Sequence, residues 1–314
     1  MSGERSELYA IVGPTAAGKT KAAFELARRM SGEVVSVDSR QIYRYMDVGT
    51  DKISPADRKI VPHHLIDIVD PDEEFSAADF VRRAEDAVRR IAARGRIPIF
   101  AGGSPLYYKA LEGNMLSDDL PRDTNVRERL DREASEKGNE AMHTLLREAD
   151  PDAALRIHPN DRYRLLRALE IWKLTGKGPT ELYRERKKIG GMKIFYFGVK
   201  APRDVLYKKI ETRAAAQFKS GYPEEVELLL SRGYSAEHPS MKGFGYRELV
   251  LYIKGMMTLE EALMADIKST KAFSRRQMTW FSKFCPILWY DFSEHDIDKV
   301  VDDMAIRVSG GEPM

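Results

Sequence analysis

The chain has 314 residues, 51 of them Lys or Arg and 49 Asp or Glu, and its net charge of +2 with 43% hydrophobic residues describes a globular protein with a substantial core. One cysteine excludes a disulfide framework and any multi-cysteine zinc site, and fits a reducing cytoplasm. No apolar run approaches the roughly 18 residues of a membrane span, and the N-terminal Met-Ser-Gly-Glu-Arg-Ser-Glu lacks the charged-then-apolar pattern of an export signal, so neither membrane insertion nor secretion is expected.

Leu8-Tyr-Ala-Ile-Val12 is an apolar run suited to a buried strand, and Lys21–Arg29 has helical spacing. Between them Gly13, Pro14, Thr15, Ala16, Ala17, Gly18, Lys19 and Thr20 match the phosphate-binding loop G-x-x-x-x-G-K-[ST] in its proper strand–loop–helix setting. The glycines let successive N–H groups turn inward on anionic oxygens. Lys19 adds a point charge, and the Thr20 hydroxyl can ligate a Mg²⁺ that bridges phosphate oxygens. The chain is therefore expected to handle a polyphosphate or a pyrophosphate, and this loop leaves open which ester.

Val34–Val37 predicts a second strand running into Asp38-Ser39-Arg40-Gln41. A carboxylate at that position can bind Mg²⁺ or take a proton from an attacking nucleophile, although Asp-Ser is also ordinary turn chemistry. His63 and His64 are adjacent in an extended segment, face opposite sides and are not assigned as metal ligands. Phe75 to Ile91 reads as a helix capped by Ser76, with Phe80, Ala84, Ala87, Val88 and Ile91 as its apolar stripe and Gly95 as its stop. Ile97–Ala101 predicts a strand ending in Gly102-Gly103-Ser104, before a helix from Pro105. The loop offers N–H groups and a hydroxyl to an anion or a polar substrate edge, or is a plain tight turn.

From about Leu116 the chain becomes charged and helix-forming. Arg127–Ala149 and Arg162–Leu174 are predicted helices, the second with Leu165, Leu166, Leu169 and Trp172 on its buried side. A strand at 193–199 returns the chain to the α/β pattern, so residues 117–192 are expected to be a helical insertion in a core of 1–116 and 193–314. Arg184–Lys188 reads as a solvated linker face. Helical segments follow at 205–218, 224–231, 246–254 and 259–284, no element is assigned after Phe284, Cys285 reads as a small buried residue, and the tail from Gly310 is expected to fray. Arg213, on the first of these helices, could reach a leaving phosphate or be solvated. Ile267 to Tyr290 contains no acidic residue but carries Lys268, Lys271, Arg275, Arg276 and Lys283 among Phe273, Trp280, Phe281 and Phe284. Such a mixture suits an RNA surface, where cations meet phosphates and rings stack on bases, and equally suits an amphipathic helix with its rings in the core.

Alternating strands and helices predict an α/β fold, a mostly parallel sheet of the P-loop NTPase type with helices on both faces, plus the helical insertion. Ligands of such sheets bind beyond the carboxyl ends of the strands, which brings the P-loop, Asp38 and Ser104 to one crevice.

Several segments together resemble the tRNA dimethylallyltransferases, the isopentenyl transferases that modify the adenosine immediately 3′ of the anticodon. They are the P-loop, Val37-Asp-Ser-Arg-Gln-Ile-Tyr43, Met46-Asp-Val-Gly-Thr50, His63-His-Leu-Ile-Asp67, Gly102-Gly-Ser-Pro-Leu-Tyr107, Ile157-His-Pro-Asn-Asp161, Arg167-Ala-Leu-Glu170, Gly243-Phe-Gly-Tyr-Arg-Glu248 and Arg275-Arg-Gln-Met-Thr-Trp280. The resemblance implies dimethylallyl diphosphate on residues 13–20 with Mg²⁺, Asp38 as general base, and Lys19 and Arg213 as cations on the diphosphate. It implies tRNA anticodon-arm contacts at Asp38, Ser39, Arg40, Gln41, Ser104, Arg127, Tyr163, Arg164, Leu165, Leu166 and Arg167, to which the basic stretch adds Arg275 and Arg276. Ser104 stands where threonine is common and keeps the hydroxyl, whereas Tyr163 stands where glutamine is common. One cysteine cannot supply the zinc finger that some members carry. A monomer acting in the cytoplasm is expected; a P-loop kinase of a small molecule or nucleoside is the competing reading, and a nucleotide-gated RNA-binding switch is a second, non-enzymatic one.

Overall fold

The computed structural model describes residues 8–113, 120–185, 191–284 and 286–310. The expectations for Cys285, for the side chains of 184–188 and for 311–314 lie outside the described residues.

In chain order the first part builds β1 (Leu8–Val12), α1 (Lys19–Arg29), β2 (Glu33–Ser36), α2 (Pro55–Ile60), β3 (His63–His64), α3 (Ala77–Ala93), β4 (Pro98–Ala101) and α4 (Pro105–Leu111). Helices α5 (Thr124–Lys137), α6 (Asn139–Ala149), α7 (Pro151–Arg156), α8 (Arg162–Thr175) and α9 (Pro179–Glu185) come next. The chain closes with β5 (Ile194–Lys200), α10 (Arg203–Lys219), α11 (Tyr222–Ser231), α12 (Tyr246–Ile253), α13 (Leu259–Phe281), β6 (Ile287–Asp291) and α14 (Ile297–Val308).

Two compact units result, one of Met1–Glu112 with Met192–Met314 and one of Gly113–Gly191. The first is an α/β unit around a six-stranded sheet in the order β3-β2-β4-β1-β5-β6. Every pairing in it is parallel, with Ile11 opposite both Ala101 of β4 and Phe197 of β5. Strands buried on both faces need no alternation, which is why β1 and β4 read as plain apolar runs, while β2 buries Glu33 and Ser36 beside its two valines. Ile11, Val34, Ile99 and Phe197 pack with Ala22, Ala23 and Leu26 of α1 and Val301 and Met304 of α14 in one core. No helix among the described residues is long and apolar enough to cross a membrane.

The cap at Ser76 forms as the sequence suggests. Its hydroxyl accepts from Asp79 N while the Asp79 carboxylate accepts from Ser76 N, a reciprocal capping box typically worth about 1 kcal/mol. Ala78, Phe80, Val81, Ala84, Ala87 and Ile91 of α3 are buried; Val88 is only half-buried. The two histidines diverge as expected. His63 Nδ1 lies 2.7 Å from Val61 O, and His64 Nε2 lies 2.6 Å from the buried Glu33 carboxylate. Burial alone would raise the Glu33 carboxyl, but hydrogen bonds from Arg94 and His64 hold it below its ordinary value.

Three details differ from the sequence pattern. The predicted helix 127–149 is two helices, because Gly138 adopts φ 83° and ψ 160°, outside helical space. The chain after Phe284 adds an edge strand, β6, whose residues are all half-buried, and an amphipathic helix, α14, held to α1 by Arg29 through Asp298 and Asp302. Two-residue β3 and six-residue α2 were too short to show a period.

Candidate active site

Val12 ends β1 and the chain turns at once through the phosphate loop. Gly13 has φ 143°, and a Cβ there would stand 2.1 Å from Val199 O on the neighbouring strand, so only glycine fits. Helix α1 opens at Lys19 directly behind this loop, and its first turn carries no acidic residue, leaving its N-terminal dipole free to face an anion. Thr15 is held twice. Its N–H donates to Gln277 Oε1 at 2.8 Å, and its Oγ1 accepts from Arg213 Nη2 at 2.9 Å. Arg213 also pairs with Asp51 at 3.0 Å, which commits the guanidinium to the edge of the phosphate loop. Lys19 Nζ donates to Pro14 O at 2.7 Å. Burial pushes this ammonium down to about 8, with Arg213 adding to the shift and Asp38 and Asp51 opposing it.

Asp38 follows β2. Its Oδ1 accepts from Arg40 N at 2.8 Å and Gln41 N at 3.3 Å, an Asx turn, while Oδ2 has no hydrogen bond among the described residues. One oxygen thus shapes the loop, and the residue lines the cavity. Ser104 Oγ accepts from Ser39 N at 3.1 Å, and Ser104 N donates to Val37 O, so the loops after β2 and β4 are bonded to each other. Gln41 donates to Thr50 O and Asp51 O and accepts from Ser36 Oγ. The Arg40 guanidinium is turned away into the carbonyls of Pro239 and Ser240.

These loops enclose a cavity of about 530 Å³. Thr15, Ala16, Gly18, Lys19 and Thr20 line one part of it, Asp38 to Gln41 and Ser104 another, and Lys209 and Arg213 supply cations from α10. Phe244, Tyr246 and Phe273 give it apolar wall, with the Phe244 and Phe273 rings 5.3 Å apart. Phosphate loop, strand-end carboxylate and Ser104 meet in one place, as parallel-sheet topology requires. Gly13, Pro14 and Ala17 are buried and do not line the cavity.

The helical unit treats its candidates differently. Leu165 and Leu166 are fully buried with Leu130, Leu146 and Leu169, so their side chains build the core and are not available to RNA. Arg167 donates to Leu120 O, Pro121 O and Glu170, and Arg127 meets the same Glu170 at 3.4 Å and donates to Tyr163 O. Both guanidiniums are thereby engaged around a buried carboxylate. Tyr163 is 73% exposed with Arg127 over its ring, and the Arg164 side chain is exposed and bonded to Asp161. On α13, Phe281 is buried, as an amphipathic helix requires. Arg275 and Arg276 are exposed beside the half-exposed Trp280, with no carboxylate partner among the described residues.

Comparison with known proteins agrees with this geometry. The family model described as IPP transferase matches residues 41–284. The chain is 43% identical over 291 residues to the tRNA dimethylallyltransferase of Thermomicrobium roseum, covering 93% of this chain and 88% of that one. It is 46% identical over 277 residues to the enzyme of the same name from Roseiflexus castenholzii, covering 88% and 90%. The chain belongs to the IPP transferase family. Its fold superposes on the full-length tRNA isopentenylpyrophosphate transferase of Bacillus halodurans with a TM-score of 0.72 at 39% identity, covering 97% of this chain and 96% of that one. A eukaryotic dimethylallyltransferase acting on tRNA shares the fold alone, at TM-score 0.81 and 23% identity.

Within this family frame, the structure gives contacts to three residues to which the sequence assigned no role, one of them, Gln277, inside the Arg275–Trp280 motif. Gln277, only 3% exposed, bridges Thr15 and Gly103 O. Asp51 orients Arg213. Glu225 gathers the N–H groups of Asp47, Val48 and Gly49 on one carboxylate, fixing the segment that carries Asp51. All act across more than a hundred residues of chain, a separation over which sequence spacing carries no signal.

Proposed function

We propose that this protein transfers the dimethylallyl group of dimethylallyl diphosphate to the exocyclic N6 amine of the adenosine immediately 3′ of the anticodon in tRNA, releasing diphosphate. The observation that carries this reading is the shared cavity of a phosphate cradle and a strand-end carboxylate in a chain of the IPP transferase family.

The cradle N–H groups and the α1 N-terminus bind the diphosphate, while Lys19 and Arg213 oppose the charge that grows as the allylic C–O bond breaks. No group of three His, Cys, Asp or Glu among the described residues forms a dedicated metal cage. That suits Mg²⁺, which keeps most of its waters and binds through substrate phosphates. The exposed Thr20 hydroxyl at the cradle would be its protein ligand, and the ion would neutralise the departing diphosphate. Asp38 Oδ2 accepts the amine proton as the C–N bond forms, a role typically worth about 10²–10⁴-fold. Phe244 and Phe273 supply apolar wall for a five-carbon chain, and the adenine must leave its stack to reach the cavity. Tyr163 and Arg164 of the helical unit, and Arg275 and Arg276 of α13, are the exposed groups suited to the anticodon arm; Ser39, Gln41 and Ser104 line the acceptor side of the cavity.

The test is transfer of label from dimethylallyl diphosphate to an unmodified tRNA with adenosine 3′ of its anticodon, in Mg²⁺. Transfer of the prenyl label, with no comparable phosphoryl transfer from ATP, is expected. ATP-dependent phosphorylation without prenyl transfer would establish a P-loop kinase instead.

A further inference from the structure

Gln277 lies on α13, far in sequence from both loops that it joins. Its Oε1 accepts from Thr15 N at 2.8 Å and its Nε2 donates to Gly103 O at 2.7 Å. A carboxamide is the side chain that can accept from an N–H at one end and donate to a carbonyl at the other, and these two partners fix which atom is oxygen and which nitrogen. The approach is close: a Cβ built on Gly103 would stand 2.2 Å from Nε2 and 3.5 Å from Lys19 Nζ. The loop beyond Gly103 reaches the acceptor side, since Ser104 Oγ holds Ser39 N and Ser104 N reaches Val37 O, on either side of Asp38.

We propose that Gln277 is a positioning residue that locks the phosphate cradle to the Gly102–Ser104 loop and so sets the donor diphosphate against the Asp38 side of the cavity. By consuming the Thr15 N–H it also takes that donor away from the ligand, and the diphosphate is cradled by the N–H groups from Ala16 onward. The catalytic part of this inference rests on the function proposed above; the cradle part does not. A misplacement of the reacting groups by about 1 Å is enough to cost on the order of 10²-fold in rate.

Two variants break the link from opposite ends. Gln277→Met keeps length and bulk but removes both hydrogen bonds, and Gly103→Ala pushes the carboxamide away without touching residue 277. The readouts are the affinity for inorganic pyrophosphate by calorimetry, kcat for prenyl transfer, and affinity for tRNA. Each variant is expected to weaken pyrophosphate about tenfold and lower kcat about 10–10²-fold, with tRNA affinity unchanged. The double variant should be no worse than either single one, because both remove the same connection, whereas independent structural damage would multiply. Wild-type pyrophosphate affinity and kcat in both variants, or multiplicative losses in the double variant, would overturn the proposal. If Gln277→Met does not fold, Gly103→Ala alone decides it by the same two readouts. If the wild-type protein transfers no prenyl group, the functional reading falls, and the pyrophosphate measurements still decide the role of Gln277.

Discussion

Two regions of this molecule use arginine and carboxylate in opposite ways. In the helical unit Glu170 is buried and meets both Arg127 and Arg167, whose side chains are only 26% and 19% exposed. In the α/β unit Lys19 and Arg213 stand at a cavity, and the nearby carboxylate Asp38 spends one oxygen on its own turn and leaves the other open. The first arrangement closes on a buried carboxylate; in the second, Lys19 and the Arg213–Asp51 pair line the wall of a cavity. What separates the two sets of cations is their surroundings, a helical core in one case and a cavity wall in the other.

The largest effects should come from the open region. Asp38→Asn keeps an acceptor for the turn but removes the proposed base, so kcat should fall about 10²–10⁴-fold with the melting temperature nearly unchanged. Near-normal turnover would reduce Asp38 to a turn residue. Lys19→Ala should lower the rate about 10²–10³-fold by withdrawing a preorganised charge from the leaving diphosphate, read in single-turnover transfer.

The closed region should respond in stability. Glu170→Gln leaves two arginines without their carboxylate; full burial would cost about 3–5 kcal/mol, and the partial exposure of the arginines brings this to about 2–3 kcal/mol in urea denaturation. A neutral result would mean that the guanidiniums are already solvated, and would return Arg167 and Arg127 to the candidates for binding RNA.

Asp266 sharpens the contrast, being a buried carboxylate with no arginine bonded to it among the described residues. Burial, with Glu248 adding to it, pushes its carboxyl up to about 6, against the opposing influence of Arg213 and a hydrogen bond from Thr270. Its folded value lies above the unfolded one, so the native state holds the proton more tightly and stability drops as pH rises from about 4 through about 6. Asp266→Asn should remove that drop and add on the order of 1–2 kcal/mol at pH 8, measured by denaturation across pH.

The smallest effect belongs to the exposed cations. Arg275→Ala and Arg164→Ala should each flatten the log–log salt dependence of tRNA binding by about 0.7–0.9 for every phosphate that the missing guanidinium had neutralised. Unchanged slopes in both would make these residues solvated surface.

By itself the sequence determined the phosphate loop, because eight contiguous residues and their flanking strand and helix define it. The same local logic marked Asp38 at a strand end, the capping box at Ser76, and the apolar runs of β1 and β4. Helix α8 was legible too, its leucine stripe announcing the burial of Leu165 and Leu166. Edge strand β6 was not assigned, since a five-residue half-buried run gives no clear period, whereas α14, also unassigned, was legible in principle from the helical spacing of Ile297, Val300, Val301 and Met304. Only the tertiary structure decided that Gln277 joins Thr15 to Gly103, that Glu225 organises residues 47–49, and that Arg127 and Arg167 share one buried carboxylate. Those assignments depend on hydrogen bonds between segments far apart in the chain. Helical and strand periods report which face of an element is buried, and say nothing about which distant donor will meet which acceptor once the faces have packed.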